Sequence, residues 1–288
     1  MTSEEKKLTL RRIVIFTVLC FIPNYILEIA FSDHNGGLTS AAAGQTIMLY
    51  PAVANILTRI ITKEGKGEYY LKARLKAHKG IYIAAAVLPL VMGLVNMLVI
   101  HFLFDAGTDM AELFDKNTNG KGLSFALALL CLTYLQDIPL LILGFGEEFG
   151  WRAYLTPKLE KFMPRLPACC ITGIIWGLWH APLIWYGYDF GRGYAGFPYV
   201  GVIAMCVVCM PLSYLLTYMT EKTKSVFPAA ICHTAIDSVM NIPVTAAVSR
   251  DALTDNSLWV GIILMGLVPT LLTCILLTAR LTARKTAE

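Results

Sequence analysis

The sequence predicts an all-α, polytopic membrane protein with about eight transmembrane helices and an intramembrane polar site. Of the 288 residues, 56% are apolar and only 15% are charged, and the mean hydropathy is +0.61. A soluble chain of this length has too little interior for so many apolar side chains, so the excess must face lipid. The net charge of +4 is too small to indicate a nucleic-acid partner. An ordinary cytosolic enzyme is therefore excluded, and membrane lipid is the first expected partner.

Apolar windows long enough to cross a bilayer recur along the chain, with charged or Gly/Pro-containing breaks between them. They lie near residues 13–31, 41–61, 81–104, 123–146, 167–187, 198–219, 227–248 and 258–278. The first window follows basic residues, as in a signal peptide, but it is long and lacks a small-residue cleavage site. We therefore expect a retained span, and a single transmembrane domain over residues 1–288.

Basic residues alternate between the predicted connections. Twenty of the 24 Lys and Arg residues fall on the side of the N-terminus, and the four on the opposite side are Lys116, Lys121, Arg192 and Arg250. Because cytoplasmic connections favour Lys and Arg, this bias places both termini in the cytoplasm. The predicted localisation is multi-pass integral membrane, in the cell membrane if the organism is prokaryotic.

The eight cysteines all lie within apolar segments, which predicts small buried hydrophobic side chains rather than a disulfide framework. Cys206 and Cys209 have CxxC spacing. Since no second thiol pair accompanies them, packing is favoured over redox or zinc chemistry.

Acidic residues within or at the edge of the spans are candidates for function, because each is costly in lipid unless it is paired or faces water. They are Glu28, Asp137, Glu147, Glu148 and Asp237. On a helix, Glu148 and Arg152 are four residues apart and share a face, whereas Glu147 points about 100° away. We predict an ion pair for Glu148 and a chemical role for Glu147. Glu28 and Asp137 each stand alone, and packing or structural hydrogen bonding is the favoured interpretation.

Two histidines lie within apolar segments of separate spans. His180 follows Trp176 by four residues, and His233 precedes Asp237 by four. The Asp237 carboxylate could orient the His233 ring, and Trp176 could shield His180 from lipid.

A carboxylate and a histidine that share a water molecule can carry out general-base hydrolysis, and a second histidine N–H can stabilise the oxyanion. Glu147, His180 and His233 meet these requirements. The same three side chains could instead hold Zn²⁺ with a water in the open position, so the cofactor is either none or zinc.

The ordered motifs Glu147-Glu148-x-x-x-Arg152, Trp176-x-x-x-His180 and His233-x-x-x-Asp237 resemble those of the CPBP family of intramembrane proteases. That family comprises the type II CAAX prenyl endopeptidases and the bacteriocin-immunity (Abi) proteins, and its pattern reads EExxxR, FxxxH and HxxxN or HxxxD. The resemblance covers about residues 123–248, the expected protease core.

The resemblance implies that Glu147 activates water with His180, that Glu148 and Arg152 support the site, and that His233 with residue 237 forms the oxyanion site. Two positions depart from the prenyl-endopeptidase pattern: Trp176 replaces Phe, and Asp237 replaces Asn. An ionised Asp cannot donate a hydrogen bond. Asp237 is therefore either protonated or, as we favour, an acceptor that fixes the tautomer of His233.

The expected function is an intramembrane endopeptidase that cleaves a peptide or protein near the cytoplasmic leaflet. A prenylated CAAX-type C-terminus as substrate is implied by the resemblance alone. A proton-coupled transporter would also contain buried Glu, Asp and His, but such folds usually show internal repeats, and none is visible in the sequence. A non-enzymatic, peptide-binding immunity protein is the third alternative.

Overall fold

The regular structure is entirely helical in the residues that the computed structural model describes, which are 1–31, 46–65, 67–104, 138–187, 189–240 and 257–287. The helices are α1 (Ser3–Phe31), α2 (Tyr50–Ile61), α3 (Lys79–Phe104), α4 (Leu141–Gly150), α5 (Thr156–Leu159), α6 (Arg165–Trp179), α7 (Ala181–Trp185), α8 (Tyr199–Thr223), α9 (Phe227–Met240), α10 (Ser257–Leu264) and α11 (Leu267–Ala287). Short 3₁₀ turns occur at Ile47–Leu49, Leu75–Ala77 and Ile138–Leu140. The all-α prediction is confirmed for these ranges.

Four helical segments in the described ranges are long and apolar enough to cross a membrane. They are Ser3–Leu27, Lys79–Asn96, Tyr199–Thr223 and Ser257–Ala279. Shorter apolar helices cover Ile47–Ile61 and Arg165–Trp179. The fold thus has the character of a polytopic membrane protein.

Helix α1 presents one apolar face outward and another to the protein interior. Val14, Val18 and Ile22 recur every four residues and are exposed, whereas Phe16 and Cys20 are completely buried. Positions four apart lie on one side of a helix. The exposed stripe is therefore suited to contact lipid chains.

Two predicted spans are broken rather than continuous. The window 167–187 divides after α6, and the window 258–278 divides at Gly266, whose φ of +75° is left-handed. Most of the window 123–146 lies outside the described residues, as does Asp137, and the side chain of Glu28 is also outside them.

The break after α6 would leave backbone carbonyl groups without partners in an apolar environment, which is costly. Asn24 Nδ2 donates to the carbonyl of Trp179 at 2.7 Å, and the Tyr25 hydroxyl donates to that of Leu178 at 2.9 Å. The His180 backbone N–H bonds the Gly177 carbonyl at 3.1 Å, and the His180 ring bonds the Trp176 carbonyl at 2.9 Å. Helix α1 thus stabilises the end of the helix from which His180 projects.

Two glycines let α6 and α8 approach closely. A Cβ added at Gly173 would lie 2.5 Å from Met210 Cα, and one at Gly177 would lie 2.5 Å from Cys206 Cα. Small residues at this spacing permit tight packing of membrane helices. The contact fixes the last turn of α6, which carries Trp176.

A π-helical turn over Trp151–Leu155 follows α4. Such turns change the backbone hydrogen-bonding pattern and often occur at functional sites. The Thr156 hydroxyl bonds the Trp151 carbonyl at 3.0 Å, and Asn55 Nδ2 bonds the Phe149 carbonyl at 2.8 Å. Side chains therefore satisfy backbone groups around this turn.

Candidate functional site

Glu148 lies at the centre of a buried charge cluster contributed by α4, the π-helical turn and α9. Its Oε1 accepts a hydrogen bond from His233 Nδ1 at 2.8 Å, and its Oε2 lies 3.1 Å from Arg152 Nε. The Glu148 and Arg152 side chains are 0% exposed. The predicted ion pair is present, and Glu148 also contacts His233, which the sequence spacing did not predict.

The Arg152 guanidinium is held by more than its ion pair. Its Cζ lies 4.4 Å from the centre of the Trp176 ring, in cation–π contact. Despite the short distance to Glu148, none of its nitrogens makes a well-aligned hydrogen bond with a described residue. Charge attraction and the aromatic face therefore hold this cation in place.

Glu147 is also buried, but two neutral donors hold it. Its Oε2 accepts the indole N–H of Trp176 at 2.6 Å and that of Trp151 at 3.1 Å. No hydrogen bond from the described residues reaches Oε1. The predicted contrast between the two glutamates therefore has a structural form: Glu148 pairs with cationic side chains, and Glu147 pairs with indoles.

The hydrogen bond of His180 determines which ring nitrogen can act as a base. Its Nδ1 lies 2.9 Å from the Trp176 carbonyl oxygen, which can only accept, so Nδ1 carries the proton. In the neutral ring, Nε2 is then the acceptor. No hydrogen bond or ion pair joins His180 to Glu147 in the described part of the chain, and Trp176 is their common partner.

Asp237 has a different relation to His233 from the one expected. Its Oδ2 lies 3.6 Å from His233 Nε2, which is too long for a hydrogen bond. Glu148 makes the hydrogen bond to the other ring nitrogen, and so Glu148 fixes the orientation of this ring. The Asp237 side chain is 46% exposed and lies one turn from His233 on α9.

A cavity of about 100 Å³ opens in front of the two histidines. Its polar wall consists of His180, His233, Asp237 and Asp189, and apolar side chains of α8, α9 and α10–α11 complete it. A space of this size holds more than one water molecule. The structure thus brings both predicted histidines and Asp237 to one cavity.

Asp189 is a polar residue of this cavity that the sequence analysis missed. It has a left-handed backbone with φ of 66°, and its buried Oδ2 has no hydrogen-bond partner among the described residues. Burial raises the pKa of Asp189 to about 6, although His180 opposes the rise, and Asp237 adds to it. Asp189 lies outside every predicted span, so the sequence did not mark it as a carboxylate that would be costly to place in lipid.

The donor set fits a metal ion poorly. In the part of the chain that the structure describes, no group of three or more His, Cys, Asp or Glu side chains is arranged to hold one. Glu147 Oε2 is occupied by two indole donors, and His233 Nδ1 is occupied by Glu148.

A second ionic cluster lies away from the cavity and joins α1, α2 and α5. Glu64 pairs with Lys158 and lies 3.5 Å from Arg12 and 3.9 Å from Arg59. Burial alone would raise the pKa of Glu64, but these cations together hold it below its ordinary value. The cluster links Glu64, which precedes the π-helical turn, to Lys158, which follows it.

Comparison with known proteins identifies the segment that carries the site. A family model described as type II CAAX prenyl endopeptidase Rce1-like matches residues 125–239. The predicted resemblance to the CPBP family is confirmed over this segment. A protein named CAAX prenyl protease 2 from Methanococcus maripaludis is 28% identical over 132 residues, which is 40% of this chain and 42% of that protein. The chain thus spans less than half the length of this curated relative.

The segment matched to the CPBP family contains all three motifs, from Glu147 to Asp237. With its apolar helices, the chain is an integral membrane protein. The first three helices lie outside the match, although α1 contacts the end of α6.

Proposed function

We propose that this protein is a glutamate-dependent intramembrane endopeptidase that works without a metal ion. The observation that carries the proposal is the different bonding of two adjacent buried carboxylates. Glu148 is paired with Arg152 and His233, whereas Glu147 has one oxygen held by neutral donors and the other without a donor among the described residues. The matched family and the name of the curated relative support the same reaction class.

In the proposed reaction, Glu147 Oε1 takes a proton from a water molecule as the water oxygen bonds to the peptide carbonyl carbon. His180 Nε2 orients that water by accepting its second hydrogen. The proton on Glu147 then passes to the leaving amine as the C–N bond breaks. Each step leaves Glu148 and Arg152 unchanged.

The oxyanion of the tetrahedral intermediate lies at His233 in this proposal. Glu148 holds Nδ1, so the Nε2 N–H of a doubly protonated ring faces the cavity. A positioned N–H that meets a developing negative charge in a dry site lowers the barrier. Asp237 favours the protonated ring through its charge.

We propose eight spans with both termini in the cytoplasm and cleavage near the cytoplasmic leaflet, on the basis of the Lys and Arg bias. The substrate is a peptide or protein, and a prenylated CAAX-type C-terminus is the first to test. Single cysteines at Lys63 and Arg192, on a background without native cysteines, test the orientation with an impermeant reagent. Labelling of position 63 from outside intact cells would overturn it.

The activity test is cleavage of quenched peptides by purified protein in detergent. Matched prenylated and unprenylated CAAX peptides are compared for wild type, Glu147→Gln and the exposed control Glu68→Gln. We expect cleavage by wild type and by the control, a loss of at least about 10³-fold in Glu147→Gln, and no effect of a zinc chelator.

The outcomes separate the alternatives. Equal cleavage by Glu147→Gln and wild type would refute the role of Glu147. Loss of activity on chelation, restored by Zn²⁺, would refute the metal-free reaction. Binding of the peptide without cleavage, unchanged by Glu147→Gln, would support an immunity-type binding protein instead.

A further inference from the structure

Trp176 contacts Glu147, the Arg152 partner of Glu148, and both histidines of the site. Its indole N–H donates to Glu147 at 2.6 Å, and its carbonyl accepts from His180 at 2.9 Å. Its ring lies under the Arg152 guanidinium and packs edge-on against His233, with ring centres 5.2 Å apart. It is 4% exposed and lines the cavity.

We propose that Trp176 and Trp151 form an indole clamp that positions Glu147, by holding Oε2 and leaving Oε1 as the oxygen that receives the proton from water. The inference rests on the proposed function for the role of that proton. The clamp itself is a property of the free protein and can be tested without substrate. Both tryptophans are positioning residues, because neither is required to contact the reacting atoms.

Neutral donors suit this task for two chemical reasons. An indole N–H can only donate, so it neither accepts the proton of the water nor supplies one to Glu147. It also stabilises the carboxylate without adding a positive charge beside it. A paired cation, like Arg152 beside Glu148, would hold a carboxylate more strongly but would weaken it as a base.

The two arms of the clamp come from different elements, and this defines the direction of the carboxylate. Trp151 is four residues after Glu147 on the same helical run, and Trp176 approaches from α6. Two donors from different elements hold this oxygen in place. The close contact of α6 with α8 through Gly173 and Gly177 sets the position of Trp176 relative to Glu147.

Trp179 provides a matched control in the same helix. It is 1% exposed and packs edge-on against His180 and Trp151, with ring centres 5.1 Å and 6.0 Å apart, but its indole N–H has no hydrogen-bond partner among the described residues. Replacement of Trp179 by Phe removes as much volume as replacement of Trp176 and removes no bond to Glu147.

The first experiment measures the indole N–H groups by proton–nitrogen NMR of protein labelled at tryptophan, in detergent and without substrate. The chain has five tryptophans, so five signals are expected, and each Trp→Phe variant assigns one. We expect Glu147→Gln to shift the signals of Trp151 and Trp176 and to leave that of Trp179 unchanged. Unchanged signals for both clamp residues would refute the clamp.

The second experiment measures cleavage kinetics of Trp176→Phe, Trp151→Phe and Trp179→Phe. Loss of a hydrogen bond to a buried carboxylate predicts about a tenfold to hundredfold fall in kcat for Trp176→Phe, with KM changed less than about threefold. Trp151→Phe and Trp179→Phe should each show a smaller fall in kcat, because the Trp151 bond is longer and Trp179 makes no bond to Glu147.

The two experiments distinguish failure of the clamp from failure of the proposed function. Shifted NMR signals in a protein that cleaves no peptide would support the clamp and count against the endopeptidase. Glu147-dependent cleavage with equal kcat in wild type and Trp176→Phe would refute the clamp and keep the endopeptidase. Equal falls in Trp176→Phe and Trp179→Phe would also refute it, because lost packing would explain both.

Discussion

Neutralising one member of the Glu148–Arg152 pair should destabilise the protein far more than neutralising both. The two side chains are 0% exposed, so Glu148→Gln leaves a buried guanidinium with the Trp176 ring as its main remaining contact. Breaking a buried pair in this way costs about 3–5 kcal/mol. Arg152→Met should cost about 3 kcal/mol, because His233 still contacts Glu148.

The double variant Glu148→Gln/Arg152→Met removes both charges, and its Gln side chain still offers an acceptor to His233. We expect it to lose about 1–2 kcal/mol, which gives a coupling energy of at least about 4 kcal/mol between the two positions. The assay is unfolding by SDS titration in mixed micelles, with helix content measured by circular dichroism for all four proteins.

The half-exposed pair of Glu160 and Arg165 is the control. The Arg165 side chain is 45% exposed and its Nε lies 3.3 Å from Glu160. Glu160→Gln should cost less than about 1 kcal/mol. Losses that simply add in the Glu148/Arg152 double variant would refute the reasoning, since they would show that neither charge depends on the other.

Three further outcomes are expected. Gly177→Ala should cost about 1–3 kcal/mol of stability and lower cleavage, since its Cβ would meet backbone 2.5 Å away. The control Gly80→Ala, whose Cβ would have no atom within 4 Å, should be neutral. Equal melting temperatures for the two variants would contradict this. The pKa of Asp189 rises from 3.8 to about 6 in the fold, so stability falls as pH rises between these values. In thermal melts, Asp189→Asn should be more stable than wild type by up to about 3 kcal/mol above pH 6 and equally stable near pH 4. The pKa of Glu64 is lowered, so its contribution to stability is present at neutral pH and lost on acidification. Glu64→Gln should therefore lower the melting temperature near pH 7 but not near pH 3. A difference in melting temperature that does not depend on pH would refute the charge argument.

Residue spacing predicted the contacts that form within one helix. Glu148 and Arg152 are four apart, as are Trp176 and His180, and both pairs are in contact. The i and i+4 rule suffices there because helix geometry alone brings such side chains together. The same rule placed Asp237 beside His233, but at 3.6 Å.

Contacts between helices were not predictable from spacing. The bond from His233 to Glu148 joins residues 85 positions apart, and that from Trp176 to Glu147 joins residues 29 apart. Both depend on how α4, α6 and α9 pack, which periodicity does not encode. Roles inferred from the sequence for Glu147, His180 and His233 remain predictions.

The broken helices escaped the sequence analysis because hydropathy does not register local backbone conformation. The window 167–187 is mostly apolar, and where it is interrupted, partners from α1 satisfy the last carbonyls of α6. Asp189 was missed for a related reason: it lies just beyond a predicted span, where a carboxylate is ordinary, although the fold buries its Oδ2.

The dependence of α6 on Asn24 and Tyr25 limits how far the segment 125–239 can be treated as a module. The Asn24 amide and the Tyr25 hydroxyl, on a helix outside the matched segment, hold the terminus that presents His180. A polypeptide cut to the boundaries of the match would expose those carbonyls to lipid, and grafting the segment onto another membrane scaffold would require equivalent donors. Sequence change in α1 is therefore constrained by the histidine more than 150 positions away, even where no motif marks it.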